Sequence, residues 1–392
     1  MKVEELKKNI YYVGAPHPER RLFDELIPLP DGTSYNAYLI KGSEKIALLD
    51  TVDPAKEKVL VDNLRSLKVE HIDYVISHHG EQDHSGAIPT ILDLYPMAKV
   101  VTNAKCKDLL KDHLLVPEDK FIIIKDRETL SLGDKTLEFV LTPWVHWPET
   151  MCTYLREDKI LFPCDFFGSH IALSDLFVKD REHVYKAAKR YYAEIMMPFQ
   201  VSIRKNLEKV KDLKIDIIAP SHGPVHDHPG MIVDAYKDWV SEKVKNEVVV
   251  PYVSMHGSTG KMIDYFVDSL EKKGLKVKAF NLANMDLGEL AMALVDAATV
   301  VIGSPTVLAG PHPLAVYAAY LTNALRPKTK YVSIIGSYGW GGKLVDNLKG
   351  LIPNLKVELL DPVVTKGFPK DDDFKALDNL ANAIKEKHQE VI

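Results

Sequence analysis

The pattern of apolar residues changes character near residue 247, and no single layered core accommodates both patterns. Ahead of that point, short apolar runs at Asn36–Ile40 and Lys45–Leu49 end in Gly-Ser and Asp50-Thr51. More follow at Tyr74–Ser77, Val100–Val101, Phe121–Ile124, Leu137–Leu141 and Ile160–Phe162, with helical spacing at about Ala55–Leu67, Gly86–Leu94 and Ala104–His113. Residues Arg181 to Leu213 read as mostly helical with a break at Pro198, and a strand at Ile215–Ala219 runs into Pro220-Ser221-His222-Gly223. Strand-dominated stretches with helices packed outside predict an α+β sandwich. Beyond a polar helical segment at Tyr236–Lys245 the runs become continuous: Val248–Val253, Val277–Phe280, Thr299–Ile302, Tyr331–Ile335 and Lys356–Leu359, alternating with helices. Strands apolar on every residue are buried on both faces, which predicts a doubly wound parallel sheet. The chain of 392 residues exceeds one ordinary core, so the expectation is two domains, 1–247 and 248–392.

Composition excludes several classes of function. Charged residues of both signs are interspersed around a net charge of −5, so there is no electrostatic footprint for nucleic acid. No apolar run approaches the ~20 residues that cross a bilayer, and the N-terminal MKVEELKKNIYYVG lacks the apolar core of an export signal, so a cytoplasmic protein is expected. Cys106, Cys152 and Cys164 are far apart without a Cys-x-x-Cys pair, which leaves neither a disulfide framework nor a zinc-ribbon or rubredoxin module in these residues.

The densest chemistry is Ser77-His78-His79-Gly80-Glu81-Gln82-Asp83-His84-Ser85-Gly86, after one strand and before a helix. In an extended stretch alternate side chains share a face, so His79, Glu81 and Asp83 are expected to converge, with His84 joining through a turn. His146 in Trp144-Val145-His146-Trp147-Pro148-Glu149-Thr150, Asp165 in Pro163-Cys164-Asp165-Phe166 and His222 each follow another apolar run. A lone imidazole at a strand end is usually a surface group. A set of carboxylates and imidazoles gathered at successive strand ends costs several kcal/mol per desolvated ion unless a counter-charge sits among them, and a pair of metal ions supplies it.

In the second half, Val248–Val253 leads into Ser254-Met255-His256-Gly257-Ser258-Thr259-Gly260-Lys261 and a helix. Small residues at such a turn expose N–H groups beside a helix N-terminus, which makes a phosphate cradle. The Gly-Lys-Ser/Thr of a triphosphate loop and the Gly-x-Gly-x-x-Gly of a dinucleotide fold are both missing. Two later strand ends carry Ser304-Pro305-Thr306-Val307 and Ser337-Tyr338-Gly339-Trp340-Gly341. Open α/β sheets bind ligands at strand carboxyl ends beside the switch point, where flavodoxin-like sheets hold FMN. Trp340 is placed to stack on a ring there.

The first set resembles the metallo-β-lactamase superfamily, with one departure. The usual run is His-x-His-x-Asp-His, and here Glu81 stands where the second His belongs. A carboxylate makes the site harder and more anionic, suiting iron better than zinc. His-x-Glu-x-Asp-His with His-Trp-Pro-Glu-Thr is similar to the flavodiiron family, and the three later loops resemble the phosphate and isoalloxazine loops of flavodoxin-like domains, His256 departing from the bulkier aromatic often found there. The resemblance implies a metallo-β-lactamase-like αββα sandwich followed by a flavodoxin-like domain. One iron would take His79, Glu81 and His146, the other Asp83, His84 and His222, with Asp165 bridging. His78, His226 and His228 are left as outer or surface groups. FMN would lie against residues Ser254–Thr259, Ser304–Val307 and Ser337–Gly341.

The resemblance further implies reduction of O₂ to water or NO to nitrous oxide. It implies electrons from a separate rubredoxin, reductase or reduced deazaflavin, and a head-to-tail homodimer or dimer of dimers. Three alternatives stay open on the residues alone: a member specialised for NO, a zinc hydrolase fused to a flavodoxin-like domain, and an electron carrier whose first domain is only structural.

Overall fold

The computed structural model describes residues 3–172 and 174–391. The chain forms two compact units, Met1–Tyr192 with Phe199–Val240, and Ala193–Pro198 with Ser241–Ile392. The main crossing point, Val240–Ser241, precedes the expected boundary at 247. The reason is the first strand of the second unit, which spans Lys245–Tyr252 and opens on polar residues. Glu247 is held by Lys276 and Lys278 at 2.9 Å each, and Lys245 by Asp296 at 3.0 Å. An apolar pattern cannot register a strand that begins on ion pairs. The helix expected at Tyr236–Lys245 lies instead at Gly230–Trp239.

In the first unit a seven-stranded sheet has the order Glu4–Lys7, Ile10–Tyr12, Tyr38–Lys41, Ile46–Leu49, Tyr74–Ile76, Lys99–Thr102, Phe121–Ile123. The strands after Ile46–Leu49 run parallel. A five-stranded sheet holds Thr129–Ser131, Thr136–Leu141, Met151–Leu155, Ile160–Phe162 and Ile217–Ile218. Alternate residues of the two sheets form one core, in which Tyr38, Ile40, Leu49, Ile76 and Val101 meet Leu137, Phe139, Met151, Ile160 and Phe162. The intervening residues Leu39, Leu48, Val75 and Val100 face the opposite way, onto Leu60, Leu64, Ile88, Ile91, Cys106 and Leu110. This period of two is what a sheet covered on both sides requires. Helix Gln200–Val210 lies along the second sheet, where Asn206 and Lys209 donate to the carbonyls of Pro143 (3.0 Å) and Leu141 (2.7 Å). Before it, the helix Arg181–Tyr191 passes into a π turn at Tyr192–Met196 and a 3₁₀ turn at Met197–Phe199. Pro198 cannot supply the N–H that an unbroken helix needs.

The second unit is a parallel sheet whose strands, numbered in chain order, run 2-1-3-4-5. They are Lys276–Asn281, Lys245–Tyr252, Ala297–Val307, Tyr331–Tyr338 and a fifth in two pieces, Glu358–Leu359 and Val363–Lys366. Val248, Val250, Val301 and Ile335 pack on Phe266 and Leu270 of helix Ser258–Lys272 and on Leu377 and Ile384 of Asp371–Val391. Val249 and Val300 point the other way and are as fully buried, which accounts for the continuous apolar runs. Among the described residues no helix is long and apolar enough to cross a membrane.

Candidate metal centre and flavin cleft

Four ligand candidates come from the end of one strand in the first sheet. His79 follows Tyr74–Ile76, Glu81 is the N-cap of a one-turn helix at Gln82–Ser85, and Asp83 and His84 lie on that turn. Only His79 and Glu81 follow the expected alternation, with Nε2 and Oε2 at 3.0 Å. Asp83 departs from it, because the chain is already helical there. Thr51 fixes the turn by donating both its N–H (2.7 Å) and its hydroxyl (2.8 Å) to the His84 carbonyl. His146, Asp165 and His222 arrive from ends of the second sheet. The His222 loop is tied down by Asn36 Nδ2, which donates to the carbonyls of Pro220 (2.8 Å) and Gly223 (2.7 Å).

These seven residues form two adjoining groups. His79, Glu81, His146 and Asp165 make one, and Asp83, His84 and His222 the other, with donor atoms of each group within 4.8 Å of one another. Asp165 reaches both. Its Oδ2 lies 3.6 Å from His79 Nε2 and 3.5 Å from His146 Nε2, and its Oδ1 lies 3.0 Å from His84 Nε2 and 3.3 Å from His222 Nε2. Asp83 Oδ2 stands 3.2 Å from His222 Nε2.

The residues fit metal ions on two counts. Both carboxylate oxygens of Asp83 and of Asp165, and Nε2 of His84, are buried without a hydrogen-bond partner. Such groups are costly unless something else binds them. Protons also crowd onto the site. Burial alone would lower His146 and His222, yet the nearby carboxylates, Asp165 first and then Glu81 and Asp83, push them up to about 9 and about 10. Glu81 and Asp165 are lowered despite burial, because the same imidazoles surround them. A site that collects protons on imidazoles around carboxylates exchanges them for cations. Three carboxylates offset three of the four charges of two divalent ions.

Outer contacts orient two imidazoles. His79 Nδ1 lies 2.6 Å from Glu149 Oε1, and His222 Nδ1 donates to the Ser34 carbonyl at 2.6 Å. Glu149 belongs to the His-Trp-Pro-Glu-Thr stretch, so its presence was visible in sequence although its role was not. Phe23, His170 and Tyr191 surround His222, with ring centroids at 6.2, 4.8 and 5.9 Å. No motif marks them; they come from distant parts of the chain. His78 turns away from the metal groups, between Asp50 (2.7 Å) and Thr153 (2.6 Å). His226 is buried beside Ile218, and His228 is exposed.

In the second unit a cleft of about 190 Å³ opens at the carboxyl ends of strands 1, 3 and 4. Met255, His256, Ser258, Thr259, Pro305, Thr306, Ser337, Tyr338 and Gly339 line it, together with Gly367, which follows the fifth strand and which sequence reasoning missed. Gly257, at φ +89°, is the N-cap of helix Ser258–Lys272 and makes no side-chain cap. A side chain there is disfavoured by the left-handed backbone, and the first N–H groups of the helix are left for a ligand. Ser254 Oγ accepts the Gly260 N–H (3.0 Å), and Thr259 and Ser337 hydroxyls meet at 2.8 Å. Ser304 is buried and accepts the His312 N–H, while Val307 pairs with Gly310 outside the cleft. Trp340 is 81 % exposed and does not line the cleft; Gly341, at φ +119°, borders the neighbouring hollow with Thr306 and Tyr338. The phosphate-sized turn at a helix N-terminus and the flanking loops at the switch point fit FMN.

A family model described as ODP family beta lactamase matches residues 33–223. The nitric oxide reductase of Moorella thermoacetica is 37 % identical over 387 residues, 96 % of each chain. The flavodiiron protein of Giardia intestinalis superposes with a TM-score of 0.89 at 26 % identity, covering 99 % of this chain and 98 % of that one. The chain belongs to the flavodiiron family. The rubredoxin oxygen:oxidoreductase of Desulfovibrio gigas has a TM-score of 0.95 at 29 % identity, covering 98 % of both chains. Membership makes the protein an oxidoreductase with a diiron centre and FMN. Its fold is accordingly a metallo-β-lactamase-like unit followed by a flavodoxin-like unit.

Proposed function

We propose that this flavodiiron protein reduces dioxygen to water, or nitric oxide to nitrous oxide, at the centre built by His79, Glu81, His146, Asp83, His84, His222 and Asp165. The observation that carries this reading is Asp165, whose two oxygens each face a different group of donors. A carboxylate so placed would hold two metal ions side by side, where both could act on one small substrate. When bound, two ferrous ions and reduced FMN supply four electrons, which matches O₂ + 4 e⁻ + 4 H⁺ → 2 H₂O; for NO, two molecules take two electrons and two protons to give N₂O and H₂O.

This chain's residues do the rest. Glu149 and Ser34 hold His79 and His222 in one tautomer and orientation. Phe23, Trp147 and Tyr191 form ring contacts with site imidazoles and exclude water. Ser258, Thr259 and Ser337, which line the cleft in the second unit, would hold the flavin phosphate end. Electrons arrive from an external donor: a rubredoxin, a reductase or a reduced deazaflavin.

Anaerobic stopped-flow of the fully reduced protein against each gas tests the reading. Rapid flavin reoxidation by O₂, by NO or by both supports it. Slow reoxidation by both, or zinc alone in protein grown with ample iron, overturns it.

The working unit is a head-to-tail homodimer in which one subunit's FMN serves the other's metal pair. Family resemblance supports this, and mixing subunits tests it. An iron-deficient variant (His79→Ala with Asp165→Ala) is combined with a flavin-deficient one (Thr259→Lys). A mixed dimer recovers up to about half the activity if transfer crosses subunits. A stable, cofactor-loaded mixed dimer without turnover refutes the arrangement.

A further inference from the structure

All three cysteines are buried and unpaired. Packing accounts for two of them. Cys106 Sγ rests 3.8 Å from the Ser77 hydroxyl, and Cys152 Sγ lies 3.6 Å from the Thr142 hydroxyl and 3.8 Å from the Pro163 carbonyl. Cys164 also meets a hydroxyl, that of Ser221, but it has candidate metal ligands beside it as well. Its sulfur, one ring nitrogen of His84 and one carboxylate oxygen of Asp165 lie within 4.8 Å of one another. Donors bound to one zinc ion at about 2.0–2.3 Å are at most about 4.6 Å apart and closer in a tetrahedral site, so a shared ion would draw these three side chains together.

Two further observations bear on it. Successive residues of an extended strand face opposite sides, but the chain leaves Ile160–Phe162 and turns at Cys164, whose φ is +56°. That turn lets neighbouring side chains address one ion. The second is His84, which also belongs to the group with Asp83 and His222. Both its nitrogens are buried without a hydrogen-bond partner, and so are both oxygens of Asp165, whereas His79 and His222 have their second nitrogen engaged.

We propose that Cys164 is a further metal donor, forming with His84 and Asp165 an alternative position for a thiophilic divalent ion such as zinc. The inference rests on the metal-centre reading above. His84 serves either this position or the one it shares with Asp83 and His222, so the two compete for an ion. On binding, the metal–sulfur bond forms, the S–H proton passes to solvent, and no electron moves. Carboxylates and imidazoles suit iron, while a thiolate shifts preference toward zinc. The cysteine therefore makes this centre respond differently to zinc than to iron.

The test is zinc K-edge X-ray absorption on full-length, FMN-bound protein stripped of iron and refilled anaerobically with zinc. Wild type is expected to show a sulfur shell at about 2.3 Å, amounting to about half a sulfur per zinc at two zinc ions per chain. Cys164→Ser and Cys164→Ala lose that shell and keep the nitrogen and oxygen scatterers, while Cys106→Ser and Cys152→Ser retain it. Two zinc ions per chain with nitrogen and oxygen neighbours only, or a sulfur shell that survives Cys164→Ser, overturns the cysteine proposal and leaves the metal centre standing. Failure of wild type to take up zinc overturns the cysteine proposal, and failure to take up iron as well overturns both.

Discussion

Replacing Glu149 by Gln changes one charge and almost no volume, so it isolates what the carboxylate does for His79. Glu149 Oε1 lies 2.6 Å from His79 Nδ1 and accepts the Gly80 N–H at 3.1 Å, with both side chains buried. A hydrogen bond to a charged group contributes roughly 1.5–3 kcal/mol, against about 0.5–1.5 kcal/mol for a neutral one. The amide can still accept, so the expected loss is the difference, about 1–2 kcal/mol, or roughly 5–30-fold in metal retention at about 1.4 kcal/mol per tenfold. That falls largely within the roughly 10–100-fold typical of outer partners of a metal-bound imidazole. The assay is anaerobic competition between iron-loaded protein and a graded chelator, with flavin content followed in parallel. One iron should leave at about 5–30-fold lower chelator strength, the other should hold, and FMN should be unaffected. A release curve within about twofold of wild type would show that the Glu149 charge does not tune His79, and that the short contact only positions it.

Asp165→Asn should remove most of the iron and reduce turnover to below roughly a tenth, because an amide is a poor bridge; intact iron with wild-type turnover on the same preparation would refute the bridging role. Thr259→Lys forces a long side chain into the cleft and breaks the Thr259–Ser337 contact of 2.8 Å. At about 1–3 kcal/mol for overpacking, FMN affinity should fall by roughly 5–100-fold with iron retained, and full flavin occupancy would place the phosphate elsewhere. His388 is buried between Thr299 (2.7 Å) and Asn246 (2.8 Å), and burial lowers it to about 4. A folded-state value below the unfolded one stabilises above about pH 6.5 and is lost as pH falls toward 4. Wild type should therefore lose roughly 1–2 kcal/mol more than His388→Gln across that window, allowing for solvent screening. Parallel pH profiles of urea unfolding for the two proteins would discount the effect.

The sequence disclosed most where side-chain chemistry is local. His79 and Glu81 lie two residues apart and meet because extended backbone places them on one face. The continuous runs at Val248–Tyr252 and Thr299–Ile302 carry a sheet buried on both sides. What sequence could not disclose depends on distant segments or on backbone that changes state within a motif. Asp83 leaves the alternation because the chain turns helical at Gln82. Ser34, Phe23 and His170 reach His222 only after the sheets have assembled. The first strand of the second unit begins ahead of its apolar run because Lys245 and Glu247 enter it as ion-pair partners rather than as apolar residues.

His79, Glu81, Asp83 and His84 hang from the seven-stranded sheet, while His146, Asp165 and His222 hang from the five-stranded one. Any ion held in common is therefore a rivet between the two leaves of the sandwich. It closes loops of chain as long as that from His79 to His222, and closing long loops restricts the unfolded chain most. The first unit should then melt at a temperature set by its metal supply, while the second should not. A cell short of iron would hold a protein whose reactive half is also its softer half, open to proteolysis along the seam between the sheets.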